Sequence, residues 1–227
     1  MPATKSPIFS TETFKFFADL AKHNNKTWMD ANRERYQATV CKPFRRLLEE
    51  LSPALLKLDA NFDVAARGGG NFSRINRDIR FAKDKTPYRA QMYLKVARPS
   101  PEEMEGGEFY VGVSAESLTA GFRIYAMPKR KQSPIALIAE PKLAANPRLL
   151  AQQKRRLARK YDSYWYSTAK GEWTKNDGWP TVEEWPKLQG WIVRKKLPKS
   201  ALTRASFPAD AEKIFRDLYP LLKFTSL

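Results

Sequence analysis

Hydrophobic residues recur at helical spacing near both ends of the chain. At the N-terminal end, Ser10 or Thr11 can cap a helix, and a longer apolar run follows in which Pro43 restarts or kinks the helix. A final helix is expected from about residue 209. Its apolar positions are Ile214, Phe215, Leu218, Leu221 and Leu222. This spacing predicts helices in the first and last parts of the chain.

The spacing of hydrophobic residues changes from helical to alternating at residues 68–70, where three glycines precede a run of alternating side chains. From Phe72 to Phe81, one face carries Ile75, Ile79 and Phe81 with Arg77, and the other carries Arg74, Asn76, Asp78 and Arg80. A turn at residues 83–87 and a second alternating run predict a hairpin. That run places Tyr88, Ala90, Met92, Leu94 and Val96 on one side and Arg89, Gln91, Tyr93 and Lys95 on the other. Further strands are expected around Phe109–Ser114 and Ala120–Tyr125.

The order of these elements favours an α+β fold, in which N-terminal and C-terminal helices flank a central antiparallel β-meander. We expect one domain over residues 1–227. Within it, residues 1–66 form a helical part, residues 67–130 the sheet, and residues 131–227 a helical, tryptophan-rich and basic part.

Composition narrows the possible functions. The chain has 41 Lys and Arg against 24 Asp and Glu, a formal charge of +17, and most of the excess lies beyond residue 66. Such a charge favours an anionic partner, although a solvated basic surface is the alternative. With His23 and Cys41 as the only residues of their types, a Cys/His zinc site is excluded. No metal or cofactor is implied, and without an apolar leader or membrane segment we expect a soluble, cytoplasmic protein.

The segment Arg74–Arg89 carries the most chemistry, with six cations and two carboxylates. Free guanidinium groups here can grip a carboxylate or phosphate with two hydrogen bonds, whereas a ladder of ion pairs that only organises the sheet is the alternative. The candidate ligand-binding residues are Arg74, Asn76, Arg77, Arg80, Lys83, Lys85 and Arg89. The catalytic candidates are Asp78 and Asp84, as orienting carboxylates, and Tyr88, as a proton donor.

Tryptophan is concentrated near the C-terminal end. Four indoles are spaced six residues apart, at Trp173, Trp179, Trp185 and Trp191, with lysine and arginine nearby. If exposed, these rings would stack on unpaired bases. If buried, they would cover the sheet as part of the core.

The segment Arg74–Arg89 resembles the bacterial and fungal family called domain of unknown function 2461. Its motif Arg-Ile-Asn-Arg-Asp-x-Arg-Phe-x-Lys-Asp-Lys-x-Pro-Tyr is accompanied upstream by Asn24–Trp28, Arg35-Tyr36 and Pro43-Phe44. The resemblance covers residues 9–125 well and continues weakly beyond. It implies a domain of this length and order of elements, with no assigned activity, cofactor or catalytic residue.

Three hypotheses about function follow. The first is a protein that binds RNA or single-stranded DNA, with cations on the phosphates and tryptophans on the bases. The second is an enzyme acting on a small phosphorylated or carboxylated substrate held by the arginine-rich strand. The third is an interaction module for an acidic protein. The pattern of residues does not give an oligomeric state.

Overall fold

The computed structural model describes residues 6–68, 70–99, 106–125, 141–167, 172–175, 179–181, 183–184 and 188–225, with the backbone alone at 167 and 172–175. The helices are α1 (Thr11–Lys22), α2 (Lys26–Ala31), α3 (Arg33–Tyr36), α4 (Lys42–Leu58), α5 (Leu149–Leu157), α6 (Lys199–Leu202) and α7 (Phe207–Thr225). A π-helical turn, Gln37–Cys41, joins α3 to α4, and residues 141–145 are also helical. No helix within these ranges is long and apolar enough to span a membrane.

One antiparallel sheet contains the strands of the described residues. They are β1 (Gln91–Val96), β2 (Glu108–Ser114), β3 (Leu118–Tyr125), β4 (Asp162–Ser167), β5 (Glu172–Lys175) and β6 (Gly190–Leu197). The order across the sheet is β1-β2-β3-β6-β4-β5, and each neighbouring pair is antiparallel. Strands β1, β2 and β3 form the predicted meander, and helices precede and follow the sheet, so the α+β prediction is confirmed.

The core lies between the helices and one face of the sheet. Alternation in β1 buries Met92, Leu94 and Val96, and the register places Val113, Val111 and Phe109 of β2 opposite them. Helix α7 packs on β2 and β3, and the Phe215 ring stacks on that of Phe109 with 4.8 Å between centroids. All five predicted apolar positions of α7 are buried. Removal of this apolar surface from water is the main force that holds the helices on the sheet.

The predicted strand from Phe72 to Phe81 is wrong beyond its first residues. Phe72 forms an isolated bridge with Leu94, and Asn76 forms another with Tyr88, without a continuous ladder between them. Phe81, which the alternation placed on the apolar face, is 94% exposed. The end of this segment therefore lies outside the sheet.

Local hydrogen bonds explain why the strand stops. The Asp78 carboxylate accepts from the backbone N–H of Arg80 at 3.2 Å, and Asp84 accepts from the N–H of Thr86 at 2.9 Å. Such short-range bonds from aspartate compete with strand pairing and favour turns. Residues 78–86 consequently form a turn-rich loop.

The prediction of a helical C-terminal part was incomplete. Helices α5, α6 and α7 lie there, but so do β4, β5 and β6, which complete half of the sheet. Strand β6 is rich in Trp, Ile and Val at its start, a composition typical of strands.

Gly121 allows β3 and β6 to approach. A Cβ at this position would clash with the carbonyl oxygen of Val193 and lie 2.7 Å from the Cα of Arg194, so backbone atoms would have to move. We predict that Gly121→Ala lowers the free energy of unfolding by about 1–3 kcal/mol, measured by urea denaturation.

Gly68→Ala is the matched control, because a Cβ there meets nothing within 4 Å. Its effect should stay within about 0.5 kcal/mol, as for other substitutions that disturb no packing. Equal stability of the two variants would contradict the packing assigned to the β3–β6 pair.

Candidate anion-binding site

The second face of the sheet, away from the core, carries polar and aromatic side chains. In β1 these are Gln91, Tyr93 and Lys95, and in β3 the corresponding face includes Arg123. The Tyr93 ring lies over Gly112 of β2, whose Cβ, if present, would be 2.7 Å from the Tyr93 Cδ1 atom. The Tyr93 hydroxyl lies 3.0 Å from Gln91 Oε1, to which it donates. These side chains form the floor of a cleft.

The arginine-rich segment is fastened to the edge of the sheet by main-chain hydrogen bonds. The N–H of Ser73 donates to the Tyr93 carbonyl at 3.0 Å, and the N–H of Lys95 donates to the Asn71 carbonyl at 2.7 Å. Further along, the N–H of Arg77 donates to the Pro87 carbonyl at 2.8 Å. The segment therefore borders the polar face of β1 and forms the wall of the cleft.

Asn24, at the end of α1, supports this wall from the helical side. Its side-chain Nδ2 donates to the Tyr88 carbonyl at 2.8 Å, and its Oδ1 accepts from the Tyr88 N–H at 3.0 Å. One amide thus satisfies both backbone groups of Tyr88, as a neighbouring strand would. This contact joins Asn24 to the arginine-rich segment, and both belong to the set of residues on which the family resemblance rests.

The cleft has a volume of about 1110 Å³. Its lining includes the predicted residues Arg74, Asn76, Arg77, Asp78, Arg80 and Arg89, together with Gln91, Tyr93, Lys95 and Arg123 from the sheet. Six of these side chains are cationic and one is a carboxylate. Most of the predicted ligand-binding residues therefore meet in one concave, strongly basic site.

Three of the six cations that line the cleft form ion pairs with carboxylates. Arg80 holds Asp78 through two hydrogen bonds, at 3.0 Å and 2.7 Å, and Arg77 pairs with Asp84 at the loop. Arg123 pairs with Glu108 across the β2–β3 pair, and its guanidinium lies over the Tyr93 ring. The ion-pair ladder considered as an alternative is present, but it involves only part of the cluster.

Arg74, Arg89 and Lys95 have no ion-pair partner among the described residues. Within the described part of the chain, these three side chains make one hydrogen bond, from Arg89 Nη1 to the Arg74 carbonyl at 3.4 Å. All three line the cleft. Because cations in the same cleft repel one another, an anion placed between them would relieve that repulsion.

The remaining predicted residues lie elsewhere. Lys83 is exposed outside the cleft, and Lys85 Nζ donates to the Ile79 carbonyl at 3.0 Å and so braces the loop. Asp84 also lies outside the cleft, and Tyr88 is buried with 8% of its surface exposed. Of the three catalytic candidates, only Asp78 lines the cleft.

The tryptophan prediction requires a correction. Trp179 is 3% exposed and Trp191 is 0% exposed, and their rings pack edge to face with 5.1 Å between centroids. The Trp191 indole N–H donates to Ser163 Oγ at 2.9 Å. Both indoles belong to the core, so neither can stack on a base. The side chains of Trp173 and Trp185 lie outside the described residues.

The four residues of the floor, Gln91, Tyr93, Lys95 and Arg123, were not among the predicted ligands. The alternation of the second run had placed Gln91, Tyr93 and Lys95 on the polar side with Arg89, so a signal for them was present. Arg123 carried no such signal, because only the β2–β3 pairing brings it to the cleft.

No group of three or more His, Cys, Asp or Glu among the described residues could hold a metal ion.

The fold and the cleft define an α+β protein with helices on one face of an antiparallel sheet and a basic site on the other. A family model described as "Conserved hypothetical protein (DUF2461)" matches residues 12–224, nearly the whole chain, and the chain belongs to this family. The resemblance inferred from the arginine-rich segment is therefore confirmed, and it extends into α7. No curated protein matches the chain.

The Asp84 carboxylate gives a pH-dependent test of the loop. The Thr86 N–H, then Arg77 and the Thr86 hydroxyl, lower its pKa from 3.8 to about 2. Since the folded pKa is the lower one, these contacts stabilise the loop fully above pH 3.8 and are lost as the pH falls through about 2. We predict an Asp84 titration midpoint near that value in a carboxyl-detected NMR experiment.

Arg77→Gln should raise the Asp84 pKa part of the way to 3.8, because the Thr86 N–H still donates. Arg33→Gln, which removes a guanidinium paired with Asp30 on the helical side, should leave it unchanged. A wild-type midpoint at 3.8 would show that the loop does not hold this arrangement in solution.

Proposed function

We propose that the protein binds a small phosphorylated or carboxylated ligand in the basic cleft. The observation that carries this proposal is that Arg74, Arg89 and Lys95 line one cleft without an ion-pair partner among the described residues. Arg74 and Arg89 would grip the anion through paired N–H groups, and Lys95 would add a point charge from the sheet.

The shape of the site supports a small ligand. A concave site with cations around it suits a compact anion, whereas a single strand of nucleic acid needs an extended basic groove with exposed rings. The burial of Trp179 and Trp191 removes two of the four proposed stacking rings. Nucleic-acid binding stays a prediction that rests on the net charge and on Trp173 and Trp185, whose side chains lie outside the described residues.

Binding is better supported than catalysis. Among the described residues, Asp78 is the one carboxylate that lines the cleft; Arg80 holds it, and this contact lowers the pKa of Asp78. It would stay ionised at neutral pH and suits an orienting role rather than proton donation. Tyr93 is a phenol that lines the cleft, and burial raises its pKa, so it would donate a hydrogen bond as a neutral group.

Isothermal titration calorimetry with inorganic pyrophosphate and citrate tests this proposal. We expect the wild-type protein to bind at least one of them, and the double variant Arg74→Gln/Arg89→Gln to bind about a hundredfold more weakly. That loss corresponds to about 1.5 kcal/mol for each guanidinium, the lower end for a hydrogen-bonded contact to a charged group. The affinity should fall only modestly with added salt, because few charges are neutralised.

Lys154→Gln/Arg155→Gln is the matched control. It removes the same charge from exposed positions of α5 that do not line the cleft, and its affinity should equal that of the wild type. Equal losses in the two double variants would indicate a diffuse effect of net charge and contradict a site. Tight binding of labelled single-stranded RNA with a steep salt dependence, and none of the small anions, would favour the nucleic-acid hypothesis instead.

A further inference from the structure

Phe81 lies beside the basic cleft, and its side chain is almost fully exposed to solvent. It is 94% exposed, and among the described residues the only other exposed large hydrophobic side chain is Leu56, at 41%. Scattered apolar residues on a surface are common. Phe81 differs from such residues because it lies beside a cluster of cations and because the loop that carries it is braced.

Several hydrogen bonds fix the loop around Phe81. The N–H of Ala82 donates to the Ile79 carbonyl at 3.3 Å, and Lys85 Nζ donates to the same oxygen at 3.0 Å. The Arg77–Asp84 pair closes the base of the loop. These bonds hold the main chain that carries the ring, so the loop loses little backbone freedom when a ligand packs against Phe81, which favours binding.

The ring is next to the anion site. Ile79 and Arg80, the two residues that precede it, both line the cleft, and the Arg80 guanidinium lies 5.9 Å from the centre of the Phe81 ring. Arg80 is in turn held by Asp78. A ligand with an anionic group among the free cations could therefore place a planar group against Phe81.

We propose that Phe81 is a stacking platform for the base of a nucleotide whose phosphates occupy the basic cleft. This inference rests on the proposed function, since Arg74, Arg89 and Lys95 would hold the phosphates. Bases present flat π-faces that stack on exposed aromatic rings, and a nucleotide combines such a face with a compact polyanion. The nucleotide could be free or at the end of a single strand, and both sources share this chemistry.

Calorimetry with ADP and with inorganic pyrophosphate separates the two parts of the site. We expect Phe81→Leu to weaken ADP binding about tenfold, the usual size of one base stack, and to leave pyrophosphate binding unchanged. Phe81→Tyr, which keeps an aromatic ring, should retain the affinity for ADP. The Arg74→Gln/Arg89→Gln variant should lose both ligands. Unchanged thermal unfolding of Phe81→Leu would confirm that this exposed position does not affect stability.

The outcomes distinguish this inference from the function on which it rests. Pyrophosphate binding with an ADP affinity that does not respond to Phe81→Leu overturns the inference alone, whereas failure of the wild type to bind ADP, pyrophosphate or citrate overturns both. An affinity for short oligo(dT) above that for ADP, lost in Phe81→Leu, would assign the platform to a nucleic-acid strand. Phe81-dependent sedimentation with phosphatidylglycerol vesicles, without an effect on ADP, would assign it to a membrane surface and overturn the inference.

Discussion

The pairing of residues 71–77 with the edge of the sheet determines where the side chains of the cleft lie. Main-chain bonds from Ser73 and Lys95 place the segment beside β1, and Asn24 holds Tyr88 on the helical side. This arrangement buries Phe72 and Ile75 in the core while Arg74 stays at the surface. Because Phe72 and Ile75 are three positions apart, the segment does not follow the alternation of a regular strand, in agreement with its isolated bridges. The same bonds that stabilise the edge of the sheet therefore assemble the basic site.

Some cations of the cleft are held in ion pairs that shape the loop, and others are available to bind an anion. Asp78 and Asp84 lie close in sequence to Arg80 and Arg77, and these local ion pairs shape the loop. Exposed pairs of this kind contribute little to overall stability, so their main effect is on local conformation. Arg123 pairs with Glu108, so Arg74, Arg89 and Lys95 are the cleft cations available to an external anion.

The sequence predicted the parts of the fold that have a regular period. The meander and α7 follow directly from alternation and helical spacing, and Gln91, Tyr93 and Lys95 share a face as their alternation indicated. The loop at residues 78–86 escaped prediction because the bonds of Asp78 and Asp84 to nearby N–H groups override the alternating pattern, which left Phe81 exposed rather than buried. The role of Arg123 could not be predicted, since it depends on long-range strand pairing.

The central claim is that a small anion binds at the guanidinium groups of Arg74 and Arg89. Two-dimensional NMR of the arginine Nε–Hε groups during titration with pyrophosphate tests this claim directly. We expect saturable shifts of the Arg74 and Arg89 signals, and no shift for Arg155 on the exposed face of α5. Equal shifts across the exposed arginines, or no shift at Arg74 and Arg89, would contradict it.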